Sequence, residues 1–121
     1  MKVDFSNTTP IYLQIVYKVK LQVVSAALKP GDKIGSVRQL ATEYGVNPNT
    51  VQRALSELEQ EKIIYTKRTT GRFITDDSEL IKSTRTQMAD EILNNFWNNM
   101  KGIGYSDEDI SALLKSKSNE A

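Results

Sequence analysis

The twenty residues from Ser36 to Leu55, SVRQLATEYG followed by VNPNTVQRAL, constrain the fold of this chain more than any other stretch. Ser36 suits the position just before a helix. Gln39, three residues on, can reach back to the Ser36 N–H, the capping-box arrangement. Val37, Leu40 and Ala41 then recur at helical spacing and predict a short helix with an apolar stripe. Gly45 ends it, because glycine takes the left-handed conformation without Cβ strain. Val46 turns into a core. Asn47 caps a second helix and Pro48 fits its first turn, where no intrahelical N–H is required. Val51, Ala54, Leu55 and Leu58 form the buried stripe of that helix. A short helix, a tight glycine turn and a second helix with a polar outer start make a helix-turn-helix signal. The plainer alternative is an ordinary helical hairpin, but here both caps and both stripes agree on register.

The residues that follow extend the motif. Glu57, Glu59 and Glu61 mark a solvated side, facing away from DNA. Lys62 to Thr66 (KIIYT) and Arg72 to Thr75 are two short β-rich runs around the polar turn Lys67-Arg68-Thr69-Thr70-Gly71. This pattern predicts a β-hairpin, and a hairpin placed after a helix-turn-helix is a wing. Its basic tip suits a phosphate backbone or the minor groove. The competing reading of Lys67, Arg68 and Arg72 is a hairpin kept soluble by edge charges. The charge distribution favours the first. Net charge is only +1, yet residues 1–75 carry 11 Lys or Arg against 6 Asp or Glu, and residues 76–121 carry 5 against 9. A basic first part and an acidic second part suggest that only the first faces phosphate.

Upstream, Phe5 is an apolar anchor able to dock on the domain. Thr8 or Thr9 is expected to cap a helix with Pro10 in its first turn. Ile11, Ile15, Val19 and Val23 recur every four residues, flanked by Tyr12, Val16, Ala27 and Leu28, and predict an amphipathic helix of about five turns. Pro30-Gly31-Asp32 is a turn, and Lys33-Ile34-Gly35 a short extended segment. Downstream, Asp76-Asp77-Ser78 reads as a linker and cap. Glu79 to Met100 is helix-permissive, with Met88, Ile92, Phe96 and Met100 at four-residue spacing and Leu93 and Trp97 beside them. Gly102 and Gly104 break it. Ser106 caps a last helix whose first turn, Asp107-Glu108-Asp109, suits the helix dipole. Ile110, Leu113 and Leu114 give that helix an apolar edge, and Lys115 to Ala121 reads as a frayed polar tail. The expected organisation is a winged helix-turn-helix domain over residues 1–75 and a short helical dimerisation tail over residues 76–121. The fold class is mainly α with a small β-hairpin wing.

Some function classes are disfavoured. No cysteine is present, so there is no disulfide framework and no thiolate metal site. No histidine is present either, which removes the usual general base and the commonest metal ligand. No enzyme activity, cofactor or metal is expected. A hydrolase built on Asp107, Glu108 and Asp109 is a poor alternative, since adjacent acids suit a helix N-terminus better than a converging site. No apolar run approaches a membrane span and Met1 begins no signal-peptide pattern, so no membrane partner and a cytoplasmic location are expected. The tail presents a large apolar surface for its size, which points to a homodimer interface made by Met88, Ile92, Leu93, Phe96, Trp97, Met100, Ile110, Leu113 and Leu114. Packing within one chain is the alternative, and a ligand pocket lined by the Met and aromatic stripe a lesser one. A two-fold dimer would present two recognition helices to two half-sites about one helical turn apart.

Pro10-Ile11-Tyr12 with Gln14-Ile15, Leu28-Lys29-Pro30-Gly31-Asp32, Ser36-Val37-Arg38-Gln39-Leu40-Ala41 and Gly45-Val46-Asn47-Pro48-Asn49-Thr50-Val51 together resemble the GntR family of bacterial transcription regulators. The resemblance covers about residues 10–75, and the short two-helix tail is similar to the YtrA-type subfamily. It implies a dimeric repressor of double-stranded DNA, often of operons encoding ABC transporters. It also implies that Arg38 contacts DNA and that Asn49 and Thr50 touch phosphate and groove edges. Where many members have Thr-Val-Arg-Glu-Ala-Leu, this chain has Thr50-Val51-Gln52-Arg53-Ala54-Leu55. Gln52 therefore replaces a base-reading arginine, and glutamine prefers adenine where arginine pairs with guanine. Two further departures are Ile34-Gly35-Ser36 in place of Leu-Pro-Ser, and a single Gly71 where the wing usually carries Gly-x-Gly. The expected DNA-binding set is Ser36, Arg38, Asn47, Asn49, Thr50, Gln52, Arg53, Lys67, Arg68, Gly71 and Arg72. Phosphate contacts come from Arg38, Lys67, Arg68 and Arg72. Asn49, Thr50, Gln52 and Arg53 meet base edges or nearby phosphates. The alternative function is a winged-helix protein-interaction module without DNA binding. An unidentified small-molecule effector is compatible with the chain, but no polar constellation points to its class.

Overall fold

A computed structural model describes residues 8–120. Phe5, the proposed anchor, lies outside the described residues. Five helices and one two-stranded hairpin follow in the order α1 (Ile11–Val24), α2 (Val37–Tyr44), α3 (Pro48–Gln60), β1 (Ile64–Lys67), β2 (Gly71–Ile74), α4 (Ser78–Gly102) and α5 (Asp107–Glu120). Two compact units share the chain, one ending at Thr84 and the other beginning at Arg85, within α4.

The first unit is built around α3. Val51, Ala54, Leu55 and Leu58 are all buried on one side of this helix, as their spacing predicts. They meet Ile15, Val19 and Val23 from α1 and Ala41 and Tyr44 from α2, and Ile63, Ile64 and Ile74 close the core from the hairpin side. Burial pushes the Tyr44 phenol up from 10.0, and Glu43 adds to the shift, so the ring enters the core neutral. The opposite face of α1 leaves Leu13, Tyr17 and Leu21 exposed.

α1 is shorter than its apolar period suggests, at 14 residues. Its N-cap position is Pro10 and not a threonine hydroxyl, and no side-chain cap bond is made there. Instead the Gln14 side-chain amide donates to the Thr9 carbonyl at 2.8 Å. Ala26 takes a positive φ of 65° and stops the helix before Ala27 and Leu28. A turn then runs from Lys29 to Asp32, closed by the Asp32 N–H on the Lys29 carbonyl at 3.0 Å. Proline followed by glycine with φ 81° is the signature of a type II turn.

β1 and β2 pair antiparallel, with Tyr65 opposite Phe73 and Lys67 opposite Gly71. Lys67 and Gly71 are thus the last strand pair, and the turn itself is Arg68-Thr69-Thr70. β1 starts two residues later than the sequence pattern suggests, because Lys62 ends α3 with φ 65°. There the N–H of Lys62 reaches the Glu59 carbonyl and that of Ile63 reaches the Leu58 carbonyl, a Schellman closure. The segment from Gly31 to Ile34 runs along the other side of β2. Ile34 N–H donates to Arg72 O, Ile74 N–H to Asp32 O and Gly31 N–H to Ile74 O, at 3.0, 2.8 and 2.9 Å. β2 is therefore hydrogen-bonded on both sides, to β1 and to this segment, which anchors the wing along its β2 edge.

In the second unit α4 continues to Gly102, so that glycine does not break the helix. The left-handed residue is Gly104, with φ 103°. Ser106 caps α5: its hydroxyl accepts from the Asp109 N–H at 3.1 Å. The tail end is helical to Glu120 and not frayed from Lys115. Lys117 and Glu120, one turn apart, pair at 3.4 Å and fit that conformation. Trp97 Nε1 donates to Asp107 Oδ1 at 2.7 Å, and the Lys101 ammonium is 3.6 Å from the same oxygen. The indole bond first, and then the Lys101 charge, hold the Asp107 carboxyl below 3.8. Among the described residues no helix is long and apolar enough to cross a membrane.

Candidate nucleic-acid interface

The first turns of α2 and α3 are fixed by their own side chains. The Ser36 hydroxyl accepts from the Gln39 N–H at 3.1 Å, and the Gln39 carboxamide oxygen accepts from the Ser36 N–H at 2.9 Å. Asn47 Oδ1 accepts from the Asn49 N–H at 2.7 Å. Ser36 and Asn47 therefore act as caps, whatever else they touch. The hinge between the helices is Gly45, with φ 70° and its N–H on the Ala41 carbonyl. With the apolar stripe of α3 buried, Asn49, Gln52 and Arg53 are exposed and Thr50 is half-buried. Arg38 is exposed on α2, where its carbonyl accepts the Thr42 hydroxyl at 3.0 Å.

At the wing, Lys67 and Arg68 are exposed at the tip. The Lys67 ammonium lies 5.0 Å from the centroid of the Phe73 ring, which stacks on Tyr65 across the hairpin at 5.8 Å. Gly71 has φ 120°, and a Cβ there would stand 3.0 Å from Lys33 Cε, so both backbone conformation and space favour glycine. Arg72 is placed differently from Lys67 and Arg68. It is half-buried, and its Nε donates to Glu59 Oε1 at 3.3 Å. The bond ties the wing to the last turns of α3. Glu61 likewise pairs with Lys20 on α1. Two of the three glutamates read as a solvated side thus hold elements together.

Asn49, Gln52 and Arg53 of α3, Arg38 and the wing-tip cations Lys67 and Arg68, which sequence reasoning singled out, are all exposed on this first unit. Two others it passed over. The Lys33 side chain reaches Gly71, where β2 leaves the wing turn. Its signal was a cation in an extended segment next to the hairpin in space but not in sequence. Tyr12, read as a flank of the α1 stripe and as part of the family motif but given no site role, lies under the Arg53 guanidinium, whose carbon is 4.0 Å from the Tyr12 ring centroid. In the tail, Met88 and Ile110 are buried within the chain, and Phe96, Trp97 and Met100 are half-buried. Ile92, Leu93, Leu113 and Leu114 are exposed.

Known proteins share this arrangement. The profile described as bacterial regulatory proteins, gntR family, matches residues 11–74. The HTH-type transcriptional regulator YhcF of Bacillus subtilis is 37% identical over 113 residues, 93% of each chain. The HTH-type transcriptional repressor YtrA of the same organism is 39% identical over 94 residues, 76% of this chain and 72% of YtrA. A solved GntR family transcriptional regulator from Listeria monocytogenes superposes with a TM-score of 0.83 at 41% identity. It covers 93% of this chain and 98% of its own. Winged fold, matched residues and full-length relatives agree: the chain belongs to the GntR family of bacterial regulatory proteins, with YtrA-type repressors among its homologues.

Proposed function

We propose that the protein is a dimeric, sequence-specific repressor that binds an inverted-repeat operator. The observation that carries this reading is the exposed polar start of α3, capped by Asn47 and held by a fully buried stripe, on the same unit as a cationic wing tip. Arg38, Lys67 and Arg68 supply phosphate contacts that fix register, and Asn49, Thr50 and Gln52 meet base edges. Arg72 acts mainly through its bond to Glu59, which sets the wing on α3. Repression is the activity named for YtrA, and an operon for an ABC transporter is the target that the resemblance implies. Dimerisation is supported by the tail, where Ile92 and Leu93, adjacent on α4, are 55% and 57% exposed.

The test is selection of bound duplexes from a random library at a stated near-physiological salt. An enriched inverted repeat with half-sites about one helical turn apart supports the reading. Its genomic positions then show whether transporter operons carry it. Folded protein that enriches nothing and shows no salt-dependent duplex binding would favour a protein-interaction module.

A further inference from the structure

Arg53 is the one arginine of α3, and its side chain is not loose. The guanidinium carbon stands 4.0 Å from the centre of the Tyr12 ring, in the first turn of α1. A flat cation over the negative face of a ring is attracted to it, and guanidinium suits that geometry better than ammonium. Stacking uses the face of the guanidinium. Its N–H donors lie in its plane and stay available. Arg53 is exposed, so the charge is not buried by the contact, while Tyr12 is half-buried and held by the packing of α1 on the core.

The contact also has a direction. Successive residues on a helix point about 100° apart, so Gln52 and Arg53 cannot share one line of α3. A helix in the major groove meets base edges along its outer line and phosphates along its flanks. Tyr12 draws Arg53 to the flank beside α1. We propose that Tyr12 is a positioning residue for DNA binding: its ring holds the Arg53 guanidinium edge toward a backbone phosphate and leaves Gln52 to read base edges. The inference rests on the DNA-binding reading above.

The experiment uses the full chain, the duplex it enriches from the random library and a scrambled duplex, titrated between about 50 and 200 mM salt. Arg53→Ala weakens both duplexes by the same factor and lowers the slope of log affinity against log salt by about one. Tyr12→Leu loses about two- to fivefold on both, Tyr12→Phe keeps wild-type binding, and Tyr12→Leu adds no loss in the Arg53→Ala background. Arg53→Lys, at an exposed position where folding is not at stake, keeps the charge but not the flat stack and stays weaker than wild type. The proposal is overturned if Tyr12→Leu costs as much without Arg53 as with it. Full binding by Arg53→Lys, or loss of preference at one base pair in Arg53→Ala, also overturns it. Absence of salt-dependent binding by the wild type refutes the DNA-binding reading itself. Wild-type binding with no coupling between Tyr12 and Arg53 refutes only the positioning role.

Discussion

The winged unit buries thirteen residues in one core around α3, whereas beyond Thr84 only Met88 and Ile110 among the described apolar residues are buried. Ile92, Leu93, Leu113 and Leu114 of the tail remain at least 37% exposed. The first unit completes its own interior and spends its polar side chains on caps and ion pairs that fix the reading face. In the second, an indole–carboxylate bond and a half-exposed lysine link α4 to α5. Water-facing leucines and isoleucines at that density gain free energy when covered, at roughly 25 cal/mol per Å² of apolar surface. The difference separates a part that closes its own core from a part that leaves apolar side chains facing water, the surface proposed above for a second copy.

The sharpest way to break the contrast is to cut into each side equally. Leu55→Ala opens the winged core and should cost about 2–5 kcal/mol in urea unfolding, while Leu113→Ala in the tail should cost well under that. Equal losses would show that the tail shares the same cooperative core. Next comes the doubly charged variant Ile92→Glu with Leu93→Glu. Sedimentation should show a monomer, and affinity for a two-half-site duplex should fall by roughly 10²-fold, because the second half-site loses its tether. Binding to a single half-site should be unchanged. A dimer that survives both charges would place the interface elsewhere. A smaller effect is expected at the reading face itself. Ser36→Ala removes one arm of the capping box and should lower unfolding free energy by about 1 kcal/mol, without changing sedimentation. The smallest effect belongs to the tail latch. Asp107 has a lowered pKa, so it favours the folded form above the unfolded value of 3.8. That contribution is lost as pH falls below 3.8 through the folded value. Trp97 fluorescence should therefore change in that acid range in the wild type and lose this transition in Asp107→Asn.

Most of the winged unit was legible because its signals are local. The capping box at Ser36, the left-handed Gly45, Asn47 with Pro48, and the stripe through Val51 and Leu58 all lie within a few residues of one another. Each imposes its geometry through the backbone nearby. The misjudged ends share one cause. Ala26 and Lys62 adopt positive φ although neither is glycine, so composition gave no sign of where α1 and α3 stop. Tertiary packing outweighs a strain of about 1–2 kcal/mol there. The tail helix was underestimated at Lys115 for the opposite reason, since polar residues that can fray can also continue a helix.

By itself, the sequence determined the helix-turn-helix, the wing that follows it, the basic character of the first part and the set of exposed polar residues on α3. Periodicity and capping are properties of neighbouring residues, and a chain carries them before it folds. Only the tertiary structure decided how those residues are employed. It placed Tyr12 under Arg53, Glu59 on Arg72, Gly31 to Ile34 beside β2, and Asp107 on Trp97. Each is a pairing of side chains or strands from different elements, set by how helices and hairpin pack. No local propensity reports which cation is left for phosphate and which is already engaged.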